Sequence, residues 1–242
     1  MSIYSASVSL KKAAASLRYG SYPAFSKREG FTITAHAGAM HTRHNSLWSV
    51  REAIAAAPDI IELDITRRRS GAFVMLHKPL AENTQGETLE KVFSLIRSAP
   101  ELGVNLDLKN FTGLDMLQKM LFDSDIADRA FFTGVSAENV PAVKSGAPNI
   151  PYYLNASADV SRFDNIAYCR EFAAEIAKTG AVGLNTNYKA VSRTLIAASH
   201  EIGLSVSVWT VNSKADFERM LSYGADNITT MKPLELKLMT RG

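Results

Sequence analysis

The chain is predicted to fold as a (β/α)8 barrel, and three observations predict it. Apolar runs of strand length alternate with helical stretches along the chain, about eight such units can be counted, and 242 residues suit one barrel of this kind. No G-x-G-x-x-G or G-x-x-x-x-G-K-[ST] motif follows the first strand, which weakens the nucleotide-binding form of the alternative, a doubly wound open sheet.

The first unit is FTITAH (31–36) followed by a helix at SLWSVREAIAAA (46–57). The second strand, DIIELDI (59–65), is followed after a turn at Ser70-Gly71 by AFVMLH (72–77), read as an extension of the same layer. A helix at 88–99 leads to GVNLDLK (103–109), one at 113–125 to RAFFTG (129–134), and one at 137–146 to NIPYYLN (149–155). The helix at 166–180 leads to AVGLNT (181–186), that at 192–203 to LSVSVWTVN (204–212), and that at 213–224 to ADNITT (225–230), before a last helix at 233–239. Residues 1–242 read as a single domain, in which residues 1–30, with a short amphipathic helix at 11–20, form an extension closing the bottom of the barrel.

Composition excludes several classes. A net charge of +3, from 27 basic and 24 acidic residues, is too mild for nucleic acid to be the partner, and Arg67-Arg68-Arg69 reads as a solvated strand end. One cysteine, Cys169, permits no disulfide framework and no cysteine metal site. Residues 1–30 hold no apolar run that could serve as a signal core or a membrane span, so a cytoplasmic protein without stable membrane insertion is expected. The sequence sets no oligomeric state.

Active sites of such barrels lie at the C-terminal ends of the strands, and polar residues gather at those ends here. The first strand ends in His36, the second carries Glu62 and Asp64, and AFVMLH ends in His77. GVNLDLK carries Asn105, Asp107 and Lys109, and later strand ends carry Asn155, Asn185 and Trp209. Alternation puts Glu62 and Asp64 on one face, and likewise Asn105, Asp107 and Lys109. Buried carboxylates are costly unless paired or bound to a cation, and three on neighbouring strands repel one another. A divalent cation resolves the conflict, and hard oxygen ligands suit Mg2+ or Ca2+. The same residues allow plainer readings: Arg or Lys on the rim neutralising the carboxylates, Lys109 pairing with Asp107, Trp209 packing in the core, and Asn155 and Asn185 capping helices.

In this order and spacing, His36-x-Gly38, Asn45-Ser46, Glu62-Leu63-Asp64 and Leu76-His77 resemble the glycerophosphodiester phosphodiesterase family, whose usual pattern is HRG, PENT, E-x-D and HD. The likeness continues in VNLDLK, VWTVN (208–212) and GADNITTMKP (224–233), and spans roughly residues 31–236. The resemblance implies metal-dependent hydrolysis of a small-molecule glycerophosphodiester to glycerol 3-phosphate and an alcohol. It implies that Glu62, Asp64 and Asp107 hold one divalent ion, Mg2+ or Ca2+. It further implies that His36 and His77 act as general base and acid, and that Lys109 holds the phosphate. Asn155 and Trp209 are read as further substrate contacts.

Four departures from the pattern bear on the chemistry. Ala37 stands where the family has arginine, His44 where PENT has glutamate, Lys78 where HD has aspartate, and Asp107 where glutamate is commoner. The lost arginine is the serious change, since a charged phosphate contact is worth on the order of 2–4 kcal/mol in the transition state. Arg43, His44 and Lys78 are the candidates to replace it, and Arg43 or His44, on the loop HTRHNS (41–46), is the expected one. Two other outcomes stay open: a catalytically altered homologue that binds a phosphodiester, and a lyase that stops at the cyclic phosphate.

Overall fold

The computed structural model describes residues 3–19 and 28–240. Its ten strands are β1 (Thr32–Ala35), β2 (Ile60–Arg67), β3 (Phe73–Met75), β4 (Glu87–Thr88), β5 (Gly103–Leu108), β6 (Ala130–Val135), β7 (Tyr152–Asn155), β8 (Gly183–Asn187), β9 (Ser205–Trp209) and β10 (Asn227–Thr230). Strands β1, β2 and β5 to β10 pair in parallel, in the order β1-β2-β5-β6-β7-β8-β9-β10, and β10 pairs back onto β1. The result is a closed eight-stranded parallel barrel with helices between the strands, the (β/α)8 architecture. Strand β3 lies antiparallel to β2 and β4 antiparallel to β3, so AFVMLH is a flap on the second strand rather than a ninth stave.

The helices are α1 (Ile3–Tyr19), α2 (Leu47–Ala56), α3 (Leu89–Ile96), α4 (Leu114–Asp123), α5 (Val140–Gly146), α6 (Ile166–Lys178), α7 (Arg193–His200), α8 (Lys214–Tyr223) and α9 (Pro233–Met239). Several start where the sequence offers a cap: the side chains of Ser46, Asn165, Ser192 and Ser213 each accept an N–H from the first turn of their helix.

Period-two alternation divides the barrel wall. Ile61, Leu63 and Ile65, Val104, Leu106 and Leu108, Phe132, Leu184, Val206 and Ile228 are buried on the outer face under the helices. Truncating a side chain such as Phe132, with no exposed surface, to alanine would cost about 3–5 kcal/mol. The inner face is polar for most of its height. Asn227 donates to Thr32 Oγ1 and accepts from Ser207 Oγ at 3.1 Å, so β1, β9 and β10 are tied by neutral hydrogen bonds inside the barrel. Nearer the strand N-termini, Phe131 and Tyr153 stack with ring centroids 5.3 Å apart. Tyr153 lies across Gly183, where a Cβ would meet its ring at 2.5 Å, so a large and a small residue interlock.

Of the N-terminal extension the structure describes helix α1 and the residues from Arg28 onward. The helix is longer than residues 11–20 and packs on the flank of the barrel against α2 and α9 rather than across the strand N-termini. The reason is a narrow stripe: among the described side chains Val8 and Ala15, two turns apart, are the buried ones of this helix, and Lys11 reaches the fully buried Glu52 of α2 at 2.7 Å. Arg28 reaches the strand N-termini, pairing with Asp226 just before β10; residues 20–27 fall outside the described part. Among the described residues no helix is long and apolar enough to cross a membrane.

Candidate active site

At the C-terminal end of the barrel a cavity of about 350 Å³ is lined by His36, Glu62, Asp64, His77, Asp107 and Lys109 on one side, and by Thr133, Gly134, Asn155, Asn185 and Trp209 on the other. The register explains the charged side. Asp64 lies opposite Asp107, and Glu62 opposite Asn105, in the parallel β2–β5 pair, so alternation turns all four inward at neighbouring levels.

Glu62, Asp64 and Asp107 offer oxygens that all lie within 4.8 Å of one another. Glu62 and Asp64 are buried, and Asp107 Oδ1 is buried with no hydrogen-bond partner. Burial, then the charges of Asp107 and Asp64, push the Glu62 carboxyl well above its ordinary range. Burial also raises Asp107, against the pull of Lys109. Asp64 is held low: burial opposes ionisation, but Lys109, a hydrogen bond from Asn45 and His77 outweigh it. Lys109 Nζ bridges the pair, 2.5 Å from Asp107 Oδ2 and 3.1 Å from Asp64 Oδ1, and these partners raise its pKa despite burial. One lysine thus pairs with two of the three carboxylates, leaving an orphaned oxygen on Asp107 and the Glu62 carboxyl biased toward its neutral form. An all-oxygen, electron-rich cluster of this kind fits a hard divalent cation.

The two histidines flank the cluster. His36 Nδ1 is 3.1 Å from the Ala37 carbonyl, and its Nε2 is 3.7 Å from Glu62 Oε1. Since a carbonyl only accepts, Nδ1 is assigned the proton and Nε2 is the basic atom facing the cavity. Burial lowers the His36 pKa. His77, exposed at the end of the β3 flap, places Nδ1 3.2 Å from Asp64 Oδ1.

The loop between β1 and α2 holds this geometry. Gly38 has φ of +104°, and a Cβ there would lie 2.7 Å from the His44 ring, so the glycine of the H-x-G motif is required both by conformation and by close approach. Met40, His41 and Asn45 also adopt positive φ, and the hydrogen bond from Met40 N to Met231 O ties the loop to the chain after β10. In this conformation Asn45 Nδ2 donates to Asp64 Oδ2 at 2.7 Å. Asn45 is a site residue that composition and periodicity do not single out; its signal was its place in the N-S pair.

The neutral side was only partly foreseen. Asn155 Oδ1 accepts from Gly134 N and from Asn185 Nδ2, each at 3.0 Å, so Asn155 stands at the mouth as expected and Asn185 supports it instead of capping a helix. Gly134, at φ of +75°, makes room for the acid: a Cβ would lie 2.5 Å from Asp107 Oδ1. The Thr-Gly pair inside a strand was the available signal, and the β6–β7 register shifts there. Asn105 shares the Asp107 face but lies a level deeper, bonded to Thr133. Trp209 is about one-third exposed at the rim and is not core packing.

Arg43 and His44 are not among the residues lining this cavity. They line an adjoining cleft of about 450 Å³ together with Asn45, His77, Lys78 and Glu87. His44 is the nearer to the chemistry, its ring edge-on to His36 at 5.6 Å between centroids.

Residues 87–235, more than half the chain, match the sequence model of the glycerophosphoryl diester phosphodiesterase family. The chain belongs to this family. A glycerophosphodiester phosphodiesterase of Bacillus subtilis is 24% identical over 215 residues, covering 85% of this chain and 71% of the relative. One from Caldanaerobacter subterraneus is 23% identical over 246 residues, covering 86% and 97%. Among solved structures, a glycerophosphodiester phosphodiesterase from Parabacteroides distasonis superposes with a TM-score of 0.72 at 17% identity, covering 89% of this chain and 98% of that one. A phosphodiesterase from Oleispira antarctica, in complex with its product sn-glycerol-3-phosphate, gives 0.64 at 16%, covering 85% and 95%. The matched span of this family member begins after the flap, so Ala37, His44 and Lys78, three of the four departures that bear on the chemistry, precede it.

Proposed function

We propose that the protein hydrolyses a glycerophosphodiester to glycerol 3-phosphate and an alcohol, with one divalent ion, Mg2+ or Ca2+, held by Glu62, Asp64 and Asp107. The observation that carries this reading is the gathering of three carboxylates and one lysine between two histidines at the mouth of a barrel of this family. The product bound to the Oleispira phosphodiesterase supports glycerol 3-phosphate as the released ester.

When bound, the ion supplies positive charge that draws the carboxylates together and offsets charge gathering on the non-bridging phosphate oxygens. Lys109, at the rim of the cluster, binds the same phosphate as a point charge. His36 Nε2, unprotonated near neutrality because burial lowers its pKa, takes the proton of the glycerol hydroxyl beside the phosphate. That oxygen bonds to phosphorus as the bond to the alcohol oxygen breaks, and His77, oriented by Asp64, gives its proton to the departing oxygen. The cyclic phosphate is opened by water with the two roles exchanged, returning both histidines to their starting forms. Asn155 and Trp209 close the opposite side and contact the substrate, and His44, edge-on to His36, offers an imidazole hydrogen bond where the family's arginine is absent.

Phosphorus NMR of a glycerophosphodiester mixed with the protein tests this. Glycerol 3-phosphate should accumulate with Mg2+ or Ca2+ and not in EDTA. Accumulation of the cyclic phosphate alone would make the protein a lyase, and no turnover of any diester would refute the hydrolase reading.

A further inference from the structure

Apart from His44 and His77, the residues of the cleft beside the cavity have no role in the chemistry above, and His77 borders both openings. A general acid must lie within hydrogen-bond reach of the oxygen it protonates. If His77 protonates the departing alcohol, that oxygen sits at the shared wall, and the rest of the alcohol has the cleft beyond it to occupy. A volume of about 450 Å³ is ample for a polyol or a second ester group.

The charge of the cleft is one-sided. Arg43 and Lys78 are exposed there, and neither has a carboxylate within ion-pair distance among the described residues. The acid on its wall, Glu87, is 3.5 Å from Lys91 and so already has a partner. These cations stand on two separate segments, the loop after β1 and the end of the β3 flap, and the barrel brings them to one opening.

We propose that this cleft is the alcohol subsite and that it selects diesters whose alcohol carries its own negative charge, a phosphate ester or a carboxylate, through Arg43 and Lys78. An arginine fork suits either group, and a lysine adds a point charge. A cationic alcohol such as choline meets two unpaired cations and is disfavoured. The proposal rests on the hydrolase reading for the position of the alcohol, and its test separates the two.

Three matched substrates decide it: glycerophosphoglycerol, with a neutral alcohol; its glycerate counterpart, with a carboxylate; and bis(glycerophospho)glycerol, with a second phosphodiester. The charged pair should show kcat/KM about tenfold above the neutral one, and Arg43→Ala with Lys78→Ala should erase that ratio. The advantage should shrink as salt rises from 0.02 to about 0.5 M, through screening of exposed cations. Preference for only one charged substrate names the anion the cleft takes. Calorimetric titration of bis(glycerophospho)glycerol and glycerophosphoglycerol in EDTA supplies a readout without turnover. Tighter binding of the first, lost in the double variant, supports the cleft even if neither diester is cleaved, in which case the hydrolase reading alone fails. Efficient hydrolysis with a ratio that the double substitution leaves unaltered overturns the cleft and leaves the hydrolase reading standing.

Discussion

The two sides of the barrel mouth solve the burial of polarity in opposite ways. On the β6–β9 side, neutral groups satisfy one another: Asn185 donates to Asn155, Gly134 N donates to Asn155, and Thr133 donates to Asn105. On the β1–β2–β5 side, Lys109 pairs with Asp64 and Asp107 but not with Glu62, and Asp107 Oδ1 is left unpartnered. Amides and hydroxyls both donate and accept, so a ring of them closes on itself. Ionised carboxylates only accept, so a cluster of them is incomplete until a cation arrives. The neutral side is satisfied as it stands; the charged side keeps carboxylate oxygens that could hold a cation.

The largest effect should come from breaking the charged side. Glu62→Ala or Asp107→Ala should lower kcat by on the order of 10³-fold or more and abolish divalent-ion binding, read by metal content after dialysis. Undiminished metal in both variants would refute the assignment. The same cluster sets a stability signature. The Glu62 carboxyl holds its proton more tightly folded than unfolded, so metal-free protein should lose stability as pH rises above the ordinary value of 4.5. Glu62→Gln should flatten that slope in EDTA and raise Tm by a few degrees near neutral pH, whereas Mg2+ or Ca2+ should stabilise the parent more than the variant.

His36→Ala should cost roughly 10²–10⁴-fold in rate while metal binding persists. Because burial lowers the His36 pKa from 6.5, the acid limb of kcat/KM, where the base becomes protonated, should have its midpoint below that value. A limb above it, or a profile unmoved by the substitution, would remove His36 from the role of base.

Gly134 joins the two sides, and Gly134→Ala should transmit a fault from the neutral one to the charged one. The added Cβ collides with Asp107 Oδ1 and strains a positive φ, so metal affinity should fall by about 10- to 100-fold with the barrel intact by circular dichroism. The smallest effect should come from the neutral rim. Trp209→Ala should raise KM by about two- to fivefold with kcat nearly constant, since it removes contact area shared by ground and transition states.

The Glu62–Asp64 pair could be read directly, because a strand turns every second residue to one face whatever surrounds it. The strand-end histidines and the alternation of strands and helices were readable for the same local reason. The spacing of the motifs even carried the family likeness that residues 87–235 bear out. Where local reading ran out, the deciding contact lay far away along the chain. Arg43 and His44 line the adjoining cleft on a loop anchored by the Met40 N–Met231 O bond, which joins residues 191 positions apart. The position of α1 on the flank depends on Lys11 finding Glu52, and the need for Gly134 arises only when β6 is laid beside β5 in the observed register.

By itself, then, the sequence determined which side chains share a face and in what order the staves come, since backbone pleat and chain order are local properties. Only the tertiary structure decided that Asp64 and Asp107 stand opposite each other with Lys109 between them, and that Asn155 is held by Asn185. The physical reason is that strand register, barrel closure and loop path are set by the packing of residues tens to hundreds of positions apart. The strength of a buried charge depends in turn on which of those residues comes to lie within a few ångströms of it.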